Sequence, residues 1–431
     1  MKRLMVGLAL LAAVGLARGD GDSCRSEYGS YAGTVAVVQT NSLITVVTTP
    51  AYGGRTMQYR LADHGFFFEN PAAIGQSFAP AWAAKHWVNY GGFKTWLAPQ
   101  AKWGGPPDPA LDGAEFDVRV ERAGGREAAI LLTSPPDRAR GVRLSRRLTI
   151  YAGSTRVTVA QTLENIGERE VEWSLWGVTQ MACGPAGLPA REREMQPGYL
   201  LRFPLNPPSK FPGGYRVIDG EPRNPQWPAE KIPGLMTVRY LGLPGKIGAD
   251  SPGGWMAWEN QRTGDIYVKR FPYTAGAAYP DEGCSVEVYA DGSLPYLEME
   301  VLSPLVKLAP GQTYTFAEDW YAAHCRGPAL GVSEVGVVAK RLAANRLGDR
   351  VVVTGTFGSF YRGTARLEFL DERGGGVGPP VSLQSGSADP MKELDLTLVL
   401  PAPAGATALR LVVAASPGGP ALGTLDIASL K

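Results

Sequence analysis

The sequence predicts an all-β protein, a large antiparallel sandwich followed by a smaller one. Three observations carry this. Short segments rich in Val, Ile and Thr recur along the 431 residues with Gly, Asn or Asp turns between them, and helical periodicity is nearly absent. All ten tryptophans lie between Trp82 and Trp320, so the aromatic-rich part of the chain ends well before its last hundred residues. At the change of composition, Arg326-Gly327-Pro328-Ala329-Leu330-Gly331 carries the Gly and Pro of a break.

In chain order, Lys2 and Arg3 precede an apolar run from Leu4 to Leu16, and Ala17-Arg18-Gly19 offers a signal-peptidase site. Residues 1–19 are therefore expected to be a signal peptide, and the mature protein to be exported, periplasmic or extracellular. A 13-residue run is too short to span a bilayer, and no later segment approaches twenty apolar residues, so no membrane span is expected. Removing Lys2, Arg3 and Arg18 with the leader leaves 40 of the 43 basic residues against 41 acidic ones. That near-neutral balance, without a basic cluster, argues against nucleic acid as a partner.

The first domain is expected over residues 25–325. Its strands should include Thr34–Gln39, Leu43–Thr48, Phe116–Val120, Arg143–Ile150, Thr155–Leu163, Cys284–Tyr289 and Leu297–Leu302. The stretch from Ala186 to Ile232, rich in Pro and Gly, is expected to be an ordered flap, because Tyr199, Phe203, Phe211, Tyr215 and Trp227 would anchor it. Residues 332–431 should form a small immunoglobulin-like or fibronectin-like β-sandwich acting as an accessory module, with strands such as Arg350–Thr356, Ala365–Leu370, Glu393–Leu400 and Ala408–Ala414.

In an oxidising compartment the four cysteines are disulfide candidates. Of the three pairings, Cys24–Cys325 would tie the start of the first domain to its end, which leaves Cys183 for Cys284. Their wide spacing excludes a CxxC redox or zinc motif, and no metal or cofactor is expected.

The chemistry-bearing segment is Asn89-Tyr90-Gly91-Gly92-Phe93-Lys94-Thr95-Trp96-Leu97-Ala98-Pro99-Gln100, with Trp103 close behind. Lys94, Trp96, Gln100 and Trp103 combine flat apolar rings with hydrogen-bonding tips, as a sugar ring requires. Strand alternation puts Glu298 and Glu300 on one face, and Glu287 on a face with Ser285 and Tyr289. These three carboxylates could form an acidic floor for hydroxyl recognition or proton transfer, with Lys94 and Lys269 as cationic partners. The three histidines, His64, His86 and His324, are scattered without metal-ligand spacing, so no Ser-His-Asp or Cys-His constellation is expected.

Gly53-Gly54-Arg55, the segment Gly91 to Gln100, Trp176-Gly177-Val178-Thr179-Gln180, Tyr279-Pro280 and Leu297-Glu298-Met299-Glu300-Val301-Leu302-Ser303-Pro304 together resemble an uncharacterised bacterial family similar to galactose mutarotases and glucose-6-phosphate epimerases. The resemblance covers residues 34–322 and implies a β-supersandwich whose concave face holds a sugar. It places Glu298 on the catalytic base, Glu300 on a position usually Gln, and Gly91-Gly92 through Pro99 on a sugar-contacting loop. Two departures bear on activity: Asp112 stands where a catalytic His is expected, and Val178-Thr179-Gln180 falls where a second His belongs. Gln180 cannot donate a proton catalytically, and Asp112 could do so only with a strongly raised pKa. The expected function is therefore sugar or oligosaccharide binding without mutarotase activity, with Glu298, Asp112 or Lys94 as catalytic groups if an aldose 1-epimerase-like reaction survives. An envelope structural protein is the third class.

Overall fold

A computed structural model of the protein describes residues 23–76, 86–184, 198–416 and 419–431. The expected signal peptide lies outside them. The chain is all-β, as the alternation predicts, with four antiparallel sheets and, among the described residues, only short helical turns.

Two large sheets make up the first part. One has thirteen strands among the described residues, its central path running Arg216–Gly220, Gly245–Ala249, Val286–Ala290, Tyr296–Leu302, Val171–Ala182, Phe93–Ala98, Arg55–Leu61 and Ile44–Thr49. The other has nine, with Trp255–Asn260, Asp265–Arg270, Thr313–His324, Val157–Asn165 and Val142–Tyr151 at its centre. Their facing sides form one apolar core. Phe93, Leu97, Leu175, Met181, Leu297, Met299 and Val301 from the first sheet share it with Leu148, Ile150, Val159, Trp258, Tyr267 and Trp320 from the second. Side chains alternate across a strand, so burying Leu297, Met299 and Val301 there turns Glu298 and Glu300 to the opposite face.

The expected strands form to within a few residues, for instance Thr34–Thr40, Val142–Tyr151, Val157–Asn165 and Tyr296–Leu302. For the Ala186–Ile232 stretch the flap expectation is corrected over its described residues, 198–232. Residues 185–197 lie outside the described set, but Tyr199–Pro204 is a strand of the nine-stranded sheet and Arg216–Gly220 an edge strand of the thirteen-stranded one. Tyr199, Phe203 and Trp227 are buried in the core. The prolines and glycines mark connections between real strands.

Residues beyond 330 build two four-stranded sheets around a second core that includes Val351, Val353, Phe357, Leu367, Leu409 and Leu411. This sandwich is fused to the first. A third apolar cluster joins Trp255, Val268, Tyr321, Ala323 and Cys325 of one to Val337, Ala339 and Phe360 of the other. Tyr321 and Phe360 stack with ring centroids 4.4 Å apart, the Thr155 amide donates to the Phe360 carbonyl at 2.9 Å, and the His324 amide to the Pro390 carbonyl at 2.7 Å. The connecting segment is pinned as well, its buried Ala329 amide donating to Glu259 at 2.9 Å.

The disulfide expectation is overturned. Cys24, Cys183, Cys284 and Cys325 form no disulfide and are buried at separate places. Cys24 pairs with Gly125 at the edge of the thirteen-stranded sheet, whereas Cys325 follows the long strand of the other sheet and packs beside Gly358 of the second sandwich. Cys183 Sγ faces the Met181 carbonyl at 3.5 Å and Cys284 Sγ the Asp281 carbonyl at 3.1 Å. Burial pushes the Cys183 thiol up to about 12 and raises those of Cys284 and Cys325 too, so all three are unreactive.

Candidate functional site

The outer face of the thirteen-stranded sheet carries the candidate site. The glycine pair sets its start. Gly91 and Gly92 have φ of 93° and 68°, and a Cβ would stand 2.1 Å from the Phe68 carbonyl oxygen at Gly91 and 2.5 Å from the Thr56 carbonyl oxygen at Gly92. Only glycine fits both positions. The turn delivers Phe93–Ala98 into the sheet with Phe93 inward and Lys94 and Trp96 outward.

Register does the rest. Val178 lies opposite both Lys94 and Glu300, Gln180 opposite Glu298, Trp176 opposite Trp96, and Glu300 opposite Glu287. Five strands therefore bring Lys94, Trp96, Trp176, Gln180, Glu298, Glu300, Glu287 and Lys246 to one face. Glu298 Oε1 accepts from Lys94 Nζ and from Gln180 Nε2, both at 2.9 Å. Glu300 Oε2 accepts from Trp176 Nε1 at 2.8 Å and from Lys246 Nζ at 3.0 Å. The same ammonium stands 2.6 Å from Glu287 Oε2 and so bridges the two carboxylates. It lies 4.3 Å from the Trp176 ring centroid, as Lys94 lies 4.2 Å from that of Trp96, both within cation–π range.

Asp112 joins from the short helix Pro109–Asp112. One of its oxygens takes Arg55 Nη2 and Trp96 Nε1, each at 2.7 Å. Trp103 caps the next turn, donates to the Leu97 carbonyl at 2.8 Å and meets Trp96 edge-on at 5.2 Å.

Two of the expected residues fall elsewhere. Gln100 is exposed on the turn Gln100–Lys102 after the strand, away from the cluster. Lys269 belongs to the other sheet and lies in the inter-sheet core, where its Nζ meets Glu318 at 3.2 Å and the Gly177 carbonyl at 3.1 Å. Gly177 and Val178 point to opposite sides, so Lys269 serves the interior and not the outer face. The reading missed Arg55 as a site residue, although it closed the Gly53-Gly54-Arg55 motif. It missed Lys246, which has no motif around it, and Trp87. Trp87 sits edge-on to Trp96 at 5.7 Å, with Lys94 Nζ 5.4 Å from its centroid.

The layer is buried. Lys94 is 2% exposed and Glu298 6%, while Trp87 at 37% is the large aromatic that reaches solvent. Burial shifts the charges. It pulls the Lys94 ammonium below its usual value, against the pull of Glu298. It pushes Glu287 up to about 8 and raises Glu300, in both cases against the field of Lys246. For Lys246 burial alone would lower the pKa, but the Glu300 and Glu287 carboxylates outweigh it and raise it.

Two of the three histidines are remote from this face. His64, from a two-residue strand of the thirteen-stranded sheet, and His324 both meet Asp265 of the nine-stranded sheet, at 3.4 and 3.3 Å, and His86 is exposed next to Trp87 in sequence. Among the described residues no group of three or more His, Cys, Asp or Glu is placed to hold a metal ion, and no helix is long and apolar enough to cross a membrane.

No family model and no curated protein matches the chain. Similar solved structures include a galactose mutarotase-like protein from Clostridium acetobutylicum, 9% identical, covering 69% of this chain and 98% of its own with a TM-score of 0.47. Another, a galactose mutarotase-like protein from Lactobacillus casei, is 12% identical and covers 67% of this chain and 99% of its own at 0.43. A TPR-domain containing protein from Parabacteroides distasonis is 10% identical over 70% of this chain at 0.45, and this chain spans about half of its length (49%).

Proposed function

We propose that this is an exported carbohydrate-binding protein whose ligand seats at the outer face of the thirteen-stranded sheet and is not anomerised there. One observation carries the reading. An indole open to solvent, Trp87, lies over Lys94 at the edge of a layer in which carboxylates, ammonium groups, an amide and further indoles are interleaved. The exposed ring offers a stacking face, and the polar layer fixes orientation. Half-buried Trp103, Lys246 and Tyr289 complete the accessible rim.

Against catalysis stands the pairing itself. Anomerisation needs an acid and a base on two different oxygens of the sugar. Here the base position, Glu298, is bonded directly to the nearest acid, Lys94, and Asp112 is bonded to Arg55 and Trp96. Each group is held by its partner.

Calorimetric titration with a panel of mono- and oligosaccharides tests the reading. Trp87→Ala should weaken the best ligand by roughly 1–3 kcal/mol, as loss of a stacked ring does elsewhere. Unchanged affinity would remove Trp87 from the site, and a panel without any ligand would sink the reading. Exchange between glucose or galactose anomers, followed by NMR, should stay at the uncatalysed rate. Exchange that depends on the protein and vanishes in Glu298→Gln would establish the epimerase-like alternative.

A further inference from the structure

The charges and hydrogen bonds of this face do not balance. Three cations stand on it, and each already has a carboxylate: Arg55 with Asp112, Lys94 with Glu298, and Lys246 with both Glu300 and Glu287. Four carboxyl groups face three cations, with Lys246 alone serving two of them, and the shortfall is met by a proton that burial holds on Glu287. Glu287 and Glu300 sit directly opposite each other on adjacent strands, 1% and 0% exposed, an arrangement of like charges that repels unless a cation bridges it.

Hydrogen bonding shows the same imbalance. Oε1 of Glu287, Oε1 of Glu300 and Oε1 of Gln180 are buried acceptors without a donor, whereas Arg55 Nε is the unpartnered donor on this face. Gln180 is uncharged and fully buried, so its bare oxygen is independent of the acidic pair. Buried polar atoms of this kind are rare and call for an explanation. The rim adds negative charge, because Asp219 and Asp291 lie close enough to act on Tyr289. A ligand that completes the face brings donors and positive charge. A uronic acid or a sugar phosphate would bring acceptors and negative charge to a face whose cations are already paired.

We propose that the ligand of this site is an amino sugar, a pyranose bearing an ammonium group, which donates to Glu287 and Glu300 beside Lys246. This rests on the carbohydrate reading above. Lys246, which bridges the two carboxylates, is the group of this corner that reaches solvent, its side chain 13% exposed. Trp176, already under one ammonium, shows that this corner accepts cations against an indole face. Burial keeps a proton on Glu287 near neutrality, with its titration at about 8. The incoming ammonium replaces that proton, so binding releases it to solvent.

The test is titration calorimetry of the full chain at pH 6.5 with glucosamine, glucose, N-acetylglucosamine and glucuronic acid, each as monomer and as available oligomer. The glucosamine series should bind at least tenfold more tightly than the neutral sugars, and glucuronic acid more weakly than either. In Glu287→Gln the ratio of glucosamine to glucose affinity should fall to about one. In the parent protein, runs in buffers of different ionisation enthalpy should show proton release with glucosamine and none with glucose, a readout that does not depend on the variant folding. Equal affinity for the amino and neutral sugars, or no proton release, overturns the amino-sugar assignment and leaves the carbohydrate reading standing. Failure of every sugar to bind a folded sample overturns both.

Discussion

Glu287→Gln should make the protein progressively more stable than its parent as pH rises. Glu287 is 1% exposed, and the groups that act on it are Lys246, Glu300 and Asp281, with the Cys284 thiol nearby. Burial raises its pKa from 4.5 to about 8, with Lys246 opposing and Glu300 adding to the rise. The folded protein therefore holds this proton more tightly than the unfolded chain does. The resulting stabilisation is complete below about pH 4.5 and is lost as pH climbs through 8. Each pH unit across that window is worth about 1.4 kcal/mol, so the whole loss is on the order of 5 kcal/mol. Glutamine keeps the shape and cannot ionise. Urea unfolding of both proteins at pH 5, 6, 7, 8 and 9 measures the effect, because titrations remote from Glu287 cancel in the difference. The gap should widen by about 1.4 kcal/mol per pH unit up to 8 and then level off. A constant gap across the series would show that Glu287 is ionised in the folded protein throughout, and the account of this buried trio would fail.

Two further outcomes follow from the packing. The four thiols should resist a thiol reagent in the native protein and all react after unfolding in denaturant without reductant; fewer than four would mean a disulfide forms and the cysteine positions are wrong. Ending the chain at residue 331 would uncover Tyr321, Ala323 and Cys325. At about 1.5–3 kcal/mol for a buried large apolar side chain, the shortened protein should melt well below the parent, and an unchanged melting temperature would refute a shared core.

Where one periodicity decides the outcome, the sequence is transparent. Leu297, Met299 and Val301 alternate with Glu298 and Glu300, a single strand suffices to assign both faces, and the structure keeps that assignment. Lys94 and Trp96 are legible for the same reason. What escapes is whatever depends on pairing between distant strands. Lys269 alternates as well as Lys94 does, but its sheet faces the core, and only the tertiary arrangement shows that its polar face meets Glu318 instead of Glu298. Lys246 lies in a short Gly-rich strand without a motif, and it becomes a site residue only because that strand pairs with Val286–Ala290. The cysteines fail for a related reason: a disulfide needs two Cα atoms within about 7 Å, and positions so far apart along the chain say nothing about proximity. The prolines and glycines between 198 and 232 misled by composition, since they punctuate two real strands, the first buried through Tyr199, Leu200, Leu201 and Phe203 and the second half-buried at the sheet edge. The polar face joins these cases. Single strands supply its residues, but its charge imbalance exists only after five strands pair, so the chemistry that selects a ligand is a property of the register and is written in no single segment.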